Sequence, residues 1–328
     1  MNNTKEKILV TGAGGFLGSY IARDLLKENY EVHSFSRSPY ENLRQLGVIQ
    51  HQGNLENYED IKSVLPGMNA VIHCASKVGM NGHYQDFYNA NVIGTENLIK
   101  AMKEVGIKKL VYTSTPSVVF GHEDLENADE STPYPDSFLS KYAETKMLAE
   151  KSVLAANDNK FFTVSLRPHL IFGPGDLNLI PRLIEARKKN KLKIVGDGKN
   201  KVDVIYVENA AHAHLLALKA LDTNPKVRGQ AYFIGQGPVV LWDFINLILK
   251  QKNLPPVTKK IPLSVAYAIG AVIELVLKIT GNADVHPPMS RFIALQLGKS
   301  HYFSHKNAEM DLGFTPKFSI EEAILKID

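Results

Sequence analysis

A glycine-rich stretch close to the start of the chain constrains its fold more than any other feature. Gly12, Gly15 and Gly18 follow the short apolar run from Ile8 to Val10 at a spacing of three residues. Apolar residues then recur at helical spacing, and a second apolar strand is predicted over Glu31 to Phe35. A strand, a glycine turn, a helix and a second strand within about thirty residues form the dinucleotide-binding unit.

Each glycine of this turn has its own expected role. Gly12 makes the tight turn, Gly15 lets the backbone approach a pyrophosphate, and Gly18 lets the helix pack close to the strand. Phe16 and Leu17 open the helix, whose unpaired N–H groups and positive dipole end should face the phosphates. We therefore predict that these five residues bind the cofactor.

The end of the second strand indicates which dinucleotide binds. An NAD-selective site usually has an acidic residue there, which bonds the ribose hydroxyls. This chain has Ser36, Arg37 and Ser38 instead. Arg37 can pair with a 2′-phosphate through charge-assisted hydrogen bonds, so we predict NADP(H), with Ser36 and Arg37 at the phosphate. The alternative is that Arg37 is an ordinary solvated arginine.

The rest of the first half continues to alternate between predicted strands and helices. This pattern predicts an α/β fold, a doubly wound parallel (Rossmann) sheet, with the ligand at the carboxyl ends of its strands. Turn-rich segments from Gly173 on indicate a smaller C-terminal substrate-binding part. We assign residues 1–172 and about 203–228 to the dinucleotide-binding domain, and about 173–202 and 229–328 to the substrate-binding part.

Composition excludes several classes of function. The net charge of +4 comes from basic and acidic residues that are mixed along the chain, so nothing indicates nucleic-acid binding. The single cysteine, Cys74, excludes a disulfide within the chain and fits a reducing cytoplasm. No leader peptide is expected, and no spacing of histidines or cysteines predicts a metal site.

Tyr142 and Lys146 carry the clearest catalytic signal. They are four residues apart on a helix predicted over Ser140 to Ala156, so both side chains lie on one face. A free tyrosine has a pKa near 10, and a neighbouring ammonium should lower that pKa. Thr115, at the end of the strand upstream, could hold a substrate carbonyl against the tyrosine. The alternative for Thr115 is that it caps the next turn.

With the glycine turn, Thr115, Tyr142 and Lys146 in this order, the chain resembles the extended short-chain dehydrogenases/reductases, in the branch with 3β-hydroxysteroid dehydrogenases and sugar-nucleotide epimerases. The resemblance implies that Thr115, Tyr142 and Lys146 act together, and that Lys146 also holds the nicotinamide ribose. It implies further cofactor contacts and one bracing residue: Asn54 and Leu55 near the adenine, Cys74, Ala75 and Ser76 under the ribose, Pro168 and Ile171 near the carboxamide, and Asn91 beside the active site.

Longer runs narrow the resemblance. VYTSTPSVVF, LRPHLIFGPGD and HYFSHKNAEMDLGFTP resemble the 2-alkyl-3-oxoalkanoate reductases of bacterial long-chain olefin biosynthesis, which use NADPH. The resemblance implies reduction of a β-keto acid with two long alkyl chains to the 2-alkyl-3-hydroxy acid, by a homodimer. Steroid and sterol-carboxylate dehydrogenases share much of the pattern and remain an alternative. Val202 stands where the sugar-nucleotide epimerases have a phosphate-binding arginine, which argues against a nucleotide-sugar substrate. The presence of both Tyr142 and Lys146 argues against a nucleotide-sensing protein without catalytic activity.

The run from Ile261 to Thr280 is the most apolar part of the chain. It could span a membrane, dock on one, or line a pocket for alkyl chains. Glu274 argues against a spanning helix, because a charge inside a bilayer is costly. A thin polar stripe predicts a helix mostly buried in protein and bordering the substrate pocket. Peripheral membrane contact, or assembly with other enzymes of a pathway, is the alternative.

Overall fold

The first half of the chain consists of strands that alternate with helices in the computed structural model, which describes residues 5–79, 82–281, 285 and 287–327. The strands are β1 Lys7–Thr11, β2 Glu31–Ser36, β3 Ile49–Gln52, β4 Ala70–His73, β5 Lys109–Thr113, β6 Leu125–Ala128, β7 Phe162–Pro168 and β8 Ile171–Phe172. The helices are α1 Phe16–Lys27, α2 Glu41–Gln45, α3 Tyr58–Val64, α4 Tyr84–Tyr88, α5 Gly94–Val105 and α6 Lys141–Ala155, with a π-helical turn, Asn89–Ile93, between α4 and α5, and a 3₁₀ turn, Pro116–Val118.

The second half has shorter strands and more varied connections. Its strands are β9 Ile194–Val195, β10 Lys201–Val202, β11 Ile205–Tyr206, β12 Gln230–Ile234, β13 Val239–Val240, β14 Lys260–Ile261 and β15 His301–Phe303. Its helices are α7 Leu179–Lys188, α8 Val207–Thr223, α9 Leu241–Gln251, α10 Leu263–Thr280, α11 Arg291–Gly298, α12 Lys306–Leu312 and α13 Ile320–Leu325, with a 3₁₀ turn at Pro225–Val227.

The central sheet has seven strands in the order β12-β7-β5-β4-β1-β2-β3, and every pairing in it is parallel. Strand β1 shows why both faces are covered by helices. Ile8 and Val10 point into a core on one face, shared with Ile21 of α1, whereas Leu9 points into a second core with Leu98 of α5. The predicted doubly wound parallel sheet is confirmed. Since all strands run the same way, their carboxyl ends meet at one edge.

Two segments of the second half differ from the sequence assignment. Gln230–Ile234 pairs with β7 at the edge of the central sheet, although residues from 229 on were assigned to the substrate-binding part. The segment that includes Ile205–Tyr206 was expected to return to the central sheet, but it pairs with Ile171–Phe172 in a separate two-stranded sheet. Helix α8 begins directly after it and crosses over β5 and β7, so the chain re-enters the sheet only after α8. The boundary near residue 228 is therefore too early.

Helix α10 is exposed. Only Ala266 and Gly270 are buried in it, whereas Val272 is 61% and Ile279 is 75% exposed. By length and composition it could cross a membrane, with a mean hydropathy of 1.8 over 18 residues, of which 11% are buried. The prediction of a mostly buried helix is wrong, because α10 packs on α11 only through a narrow face of small residues.

Candidate active site

The glycine turn between β1 and α1 leaves no room for side chains at two of its positions. Gly12 has a φ of +72°, and a Cβ there would lie 2.7 Å from the backbone nitrogen of Ala75. A Cβ at Gly18 would lie 2.8 Å from the Cα of Ala13 and closer still to the backbone oxygen of Gly12. Glycine at both positions lets the turn, the helix and the loop after β4 approach each other.

The start of α1 has the character of an anion site. Gly15 is the N-cap residue and has no side chain to accept from the helix, and the first turn has no acidic residue. Ser19 donates the first helical bond to the Gly15 oxygen at 3.0 Å. The N–H groups of Phe16, Leu17 and Gly18 therefore have no acceptor within the helix. They lie at the N-terminus, which is the positive end of the helix dipole. These residues fit a bound pyrophosphate.

Ser36 and Arg37 lie where β2 ends, at the same edge of the sheet. The Ser36 hydroxyl donates to the backbone oxygen of Ser38 at 2.8 Å, and Gln52 donates from its side chain to the Arg37 oxygen at 2.9 Å. These bonds fix the backbone of the loop, while the Arg37 side chain stays exposed. The arrangement fits a guanidinium that is available to a phosphate.

Tyr40 was missed by the sequence analysis. Its ring lies against Gly14, so closely that a Cβ at Gly14 would overlap it. Its backbone N–H donates to the Gln50 side chain at 2.7 Å, which fixes this position. The half-exposed ring therefore covers one side of the glycine turn. A tyrosine four residues after the strand end gives no recognisable sequence signal, because the contact depends on the path of the loop.

Asn54 and Leu55 follow β3 and form the next part of the edge. The Asn54 side-chain oxygen accepts from the Glu56 N–H at 3.2 Å. The backbone N–H of Asn54 donates to the Asp60 carboxylate at 2.9 Å. The backbone oxygen of Leu55 accepts from Asn97 at 3.0 Å. The side-chain carbonyl of Asn54 therefore accepts a hydrogen bond within its own turn.

The loop after β4 is held against the glycine turn. The Thr11 hydroxyl bonds the His73 Nδ1 at 2.6 Å and accepts from the Ala75 N–H at 3.3 Å. Burial lowers the pKa of His73 to about 3, so its imidazole is neutral. Thr95 bonds its other ring nitrogen at 3.0 Å. Ala75 and Ser76, expected under the ribose, lie in this loop.

Cys74 belongs to a buried chain of hydrogen bonds. Its Sγ lies 2.9 Å from the Thr113 hydroxyl, which lies 2.8 Å from the His214 Nε2. Because the His214 Nδ1 faces the backbone oxygen of Ala210 at 2.7 Å, Nδ1 carries the proton and Nε2 accepts from Thr113. Burial raises the pKa of Cys74 to about 11, which keeps it a thiol. The sequence analysis assigned no role to His214.

Thr115 lies beside Tyr142, near the carboxyl end of β5, close enough for its hydroxyl to lower the pKa of the tyrosine. Thr115 is buried and also caps the 3₁₀ turn that follows, since its oxygen accepts from the Ser117 N–H at 3.2 Å. The alternative that Thr115 caps the next turn is therefore confirmed, and its contact with a substrate carbonyl stays a prediction. Burial raises the pKa of Tyr142 to about 12, against the smaller lowering effect of Thr115. The expected lowering of the tyrosine pKa by a lysine is wrong for this arrangement.

Lys146 lies one turn further along α6 and is almost fully buried. Its Nζ donates to the backbone oxygen of Thr113 at 2.6 Å and lies 4.1 Å from the centre of the Tyr112 ring. Burial lowers the pKa of Lys146 to about 7, although Glu150 and Cys74 act in the opposite direction.

Asn91 braces the active site from the π-helical turn. Its side-chain amide donates to the hydroxyl of Thr145 at 3.0 Å, and its oxygen accepts from the Lys77 N–H at 2.7 Å. It therefore ties the loop after β4 to the residue next to Lys146. The extra residue of a π-helical turn is often found at functional sites, because it redirects a side chain.

Pro168 and Ile171 lie at the carboxyl end of β7, the strand that pairs with β5. Pro168 pairs with Ile234 of β12, and Ile171 opens β8. Between them Leu170 has a φ of +41°, and His169 bonds His301 at 2.6 Å. The loop is thus fixed by residues from both halves of the chain. Among the residues that the structure describes, no cluster of three potential metal ligands occurs.

A buried ion pair supports the catalytic helix and was not predicted. Arg167 bonds both carboxylate oxygens of Glu150 on α6, with the shortest contact at 2.6 Å, and both side chains are buried. Arg167 lies on β7, the strand that directly follows α6, so the pairing depends on how the helix packs against that strand.

Residues 9–263 match the 3-beta hydroxysteroid dehydrogenase/isomerase family. The chain belongs to this family. It is 44% identical to the 2-alkyl-3-oxoalkanoate reductase of Stenotrophomonas maltophilia over 98% of both chains. It is also 44% identical to the protein of the same name from Shewanella oneidensis, over 97% of this chain and 84% of the relative. A decarboxylating sterol-4-alpha-carboxylate 3-dehydrogenase from Mus musculus is 36% identical, over 97% of this chain and 89% of the relative.

This family member is therefore an oxidoreductase that acts on a hydroxyl or ketone group. Its fold is also that of the solved UDP-glucuronic acid 4-epimerase from Bacillus cereus in complex with NAD, with a TM-score of 0.75, 22% identity, and coverage of 98% of this chain and 97% of that chain. At this identity the likeness shows the fold, which is the extended short-chain dehydrogenase/reductase architecture.

Proposed function

We propose that the protein is an NADPH-dependent reductase that converts a long-chain 2-alkyl-3-oxo acid to the 2-alkyl-3-hydroxy acid, in hydrocarbon (olefin) biosynthesis. The observation that carries the reductase chemistry is the convergence of three side chains at the end of β5: Tyr142, the buried Thr115 beside it, and the buried Lys146, whose Nζ donates to the Thr113 oxygen at 2.6 Å. The substrate class rests on the two relatives at 44% identity, which match almost the whole chain.

The residues at the edge of the sheet fit a dinucleotide. The uncapped start of α1 suits the pyrophosphate. Asn54 and Leu55 would hold the adenine, Cys74 to Ser76 the ribose, and Pro168 to Ile171 the carboxamide. A reduced nicotinamide bound there supplies the hydride for the ketone carbon.

Tyr142 provides the proton. A pKa of about 12 keeps its hydroxyl protonated at neutral pH, which is the form that a reduction requires. The hydroxyl donates its proton to the ketone oxygen as that oxygen gains negative charge, and Thr115 holds the same oxygen by a hydrogen bond.

Lys146 positions the other groups. Its bond to the Thr113 oxygen joins α6 to the end of β5, so it sets the distance between Tyr142 and Thr115. It would also bind the nicotinamide ribose. When charged, the ammonium stabilises negative charge on Tyr142 after proton transfer, and its pKa of about 7 makes this contribution dependent on pH.

The preference for NADPH rests on the end of β2. Arg37 is exposed beside Ser36, and neither neighbour is acidic. A guanidinium there can form two parallel bonds to a 2′-phosphate, whereas an NAD-selective site would present a carboxylate to the ribose.

A 3β-hydroxysteroid or sterol-carboxylate dehydrogenase is the second candidate, supported by the relative from Mus musculus at 36% identity. A sugar-nucleotide epimerase is less well supported. Val202, at the position of a substrate arginine in those enzymes, is fully buried in β10 and cannot contact a phosphate.

One experiment separates these candidates. The protein is incubated with NADPH or NADH and with three substrate sets: 2-alkyl-3-oxo acids of increasing chain length, 3-oxo and 3β-hydroxy sterols, and UDP-sugars. We expect NADPH consumption with the 2-alkyl-3-oxo acids and formation of the 3-hydroxy product. Turnover of sterols alone would favour the second candidate.

A further inference from the structure

A buried chain of hydrogen bonds leads from the glycine turn to the π-helical turn, and His73 lies at its centre. His73 ends β4 and has no exposed surface. Its Nδ1 lies 2.6 Å from the hydroxyl of Thr11, the residue directly before Gly12. Its Nε2 lies 3.0 Å from the hydroxyl of Thr95, near the start of α5. One imidazole therefore joins the end of β1 to the start of α5.

The donors and acceptors of this chain all point in the same direction. The Thr95 hydroxyl donates its proton to the backbone oxygen of Asn91 at 2.6 Å, so towards His73 it can only accept. His73 therefore donates to Thr95 from Nε2. Because burial lowers the pKa of His73 to about 3, the ring is neutral, and its Nδ1 accepts the proton of Thr11. The Thr11 oxygen in turn accepts from the Ala75 N–H at 3.3 Å. A single tautomer of the neutral ring satisfies every bond.

The chain ends at the two parts of the site that a hydride transfer has to bring together. At one end, Ala75 belongs to the loop expected under the nicotinamide ribose, and a Cβ on Gly12 would lie 2.7 Å from its nitrogen. At the other end, the Asn91 side chain donates to the Thr145 hydroxyl at 3.0 Å. That hydroxyl lies 3.1 Å from the backbone oxygen of Tyr142. The contacts thus continue, through Asn91, from the cofactor loop to the proposed acid.

A second buried histidine of the central sheet provides a comparison. His33 on β2 also has both ring nitrogens bonded, to His51 at 2.9 Å and to Glu31 at 2.8 Å. Glu31 opens the same strand, and His51 is on the neighbouring β3. The bonds of His33 thus lie within two adjacent strands, whereas those of His73 connect two parts of the candidate site.

We propose that His73 is a positioning residue for the reduction, which fixes the loop from Cys74 to Ser76 relative to the helix that carries Tyr142. This inference rests on the proposed function, in which the loop holds the nicotinamide ribose and Tyr142 is the acid. His73 acts through Thr11 and Thr95, since its own ring is fully buried. A misplacement of about 1 Å between reacting groups can cost about a hundredfold in rate. Loss of the bonds of His73 should therefore lower kcat more than cofactor binding.

The test compares three variants of the full chain, with the substrate that the panel described above identifies. His73→Leu removes both bonds, whereas His73→Gln retains one donor and one acceptor. His33→Leu is the matched control. We expect His73→Leu to lower kcat by at least about tenfold, and to change the calorimetric Kd for NADP⁺ by a smaller factor. His73→Gln should recover most of the lost kcat. His33→Leu should lower the urea midpoint and leave kcat unchanged.

Nuclear magnetic resonance of the protein with ¹⁵N-labelled histidine gives a readout that needs neither cofactor nor substrate. The signals of His73 are identified by their absence in His73→Gln. We expect a neutral imidazole with its proton on Nε2, unchanged between about pH 5 and 8, where an ordinary histidine titrates. A proton on Nδ1, or titration in this range, would overturn the proposal.

Thr95→Val keeps the shape of the side chain and removes the acceptor of His73, so it tests the same bond if His73→Leu does not fold. We expect it to lower kcat as well. Wild-type kcat in either folded variant, with Tyr142→Phe inactive, would overturn the positioning role alone. An active Tyr142→Phe would overturn the proposed function, and the positioning role with it.

Discussion

Lys146 donates a hydrogen bond from its Nζ to the backbone oxygen of Thr113, which accepts it at 2.6 Å. The bond joins the catalytic helix α6 to the end of the central strand β5. It places the lysine where burial lowers its pKa to about 7, while burial raises the pKa of Tyr142 to about 12. In the proposed mechanism the two residues therefore have different tasks: the tyrosine is the protonated acid, and the lysine positions the groups around it.

Tyr142→Phe removes only the hydroxyl that donates the proton. We expect kcat to fall by at least about a hundredfold, the lower end of usual acid–base contributions, with NADPH binding nearly unchanged. Steady-state kinetics and calorimetric titration of NADPH measure both quantities. The control is Tyr88→Phe, a tyrosine on α4 outside the catalytic group. A variant that retains more than about a hundredth of the wild-type kcat would exclude Tyr142 as the acid.

Arg37→Ala should discriminate between the two cofactors. We expect kcat/KM for NADPH to fall by about tenfold or more and that for NADH to change little, because only NADPH carries the 2′-phosphate. Arg44→Ala is the matched control, since Arg44 is exposed on the nearby α2 and pairs with Glu41 at 2.7 Å. Equal losses with both cofactors would remove Arg37 from the phosphate site.

Lys146→Met should abolish turnover and yet stabilise the fold at low pH. The pKa of Lys146 is about 7 in the folded protein and 10.5 in the unfolded chain, so between these values the unfolded state holds more protons. Wild-type stability should therefore rise with pH in this window. The gain from Met should be on the order of a few kcal/mol at about pH 6 and smaller at about pH 9.

Urea unfolding at both pH values measures this difference. Lys151→Met, which changes an exposed lysine on the same helix, should show no such dependence on pH. A stability gain for Lys146→Met that is independent of pH would show that the lysine is not desolvated as the structure indicates.

The buried pair of Arg167 and Glu150 predicts a non-additive double variant. Arg167→Met leaves a buried carboxylate without its partner and should cost about 3 to 5 kcal/mol of unfolding free energy. Adding Glu150→Leu removes that carboxylate and should recover a large part of the loss. Unfolding curves of the two single variants and the double variant measure the coupling. Additive losses would mean that the pair does not act as a unit.

Local spacing was enough to predict which residues of the candidate site lie together. Gly12, Gly15 and Gly18 in one turn, and Tyr142 with Lys146 on one helix face, are close in the chain, so their relative positions follow from turn and helix geometry. The alternation of predicted strands with predicted helices along the chain likewise predicted the parallel sheet.

Features that depend on distant contacts could not be predicted. The apolar run at α10 was expected inside the protein, but composition cannot show which surface covers a helix. The predicted direction of the Tyr142 pKa shift was also wrong, since burial, which depends on distant contacts, raises that pKa. Similarly, the role of His214 depends on a contact with Thr113, about a hundred residues away in the chain.

The most direct test of the proposed function is NADPH consumption by the wild type with a synthetic 2-alkyl-3-oxo acid, together with identification of the product by mass spectrometry. We predict formation of the 2-alkyl-3-hydroxy acid in an amount equal to the NADPH consumed, and rates that are much lower with UDP-sugars and sterols. The assignment would be contradicted if the protein consumed no NADPH with any 2-alkyl-3-oxo acid but turned over sterols or UDP-sugars.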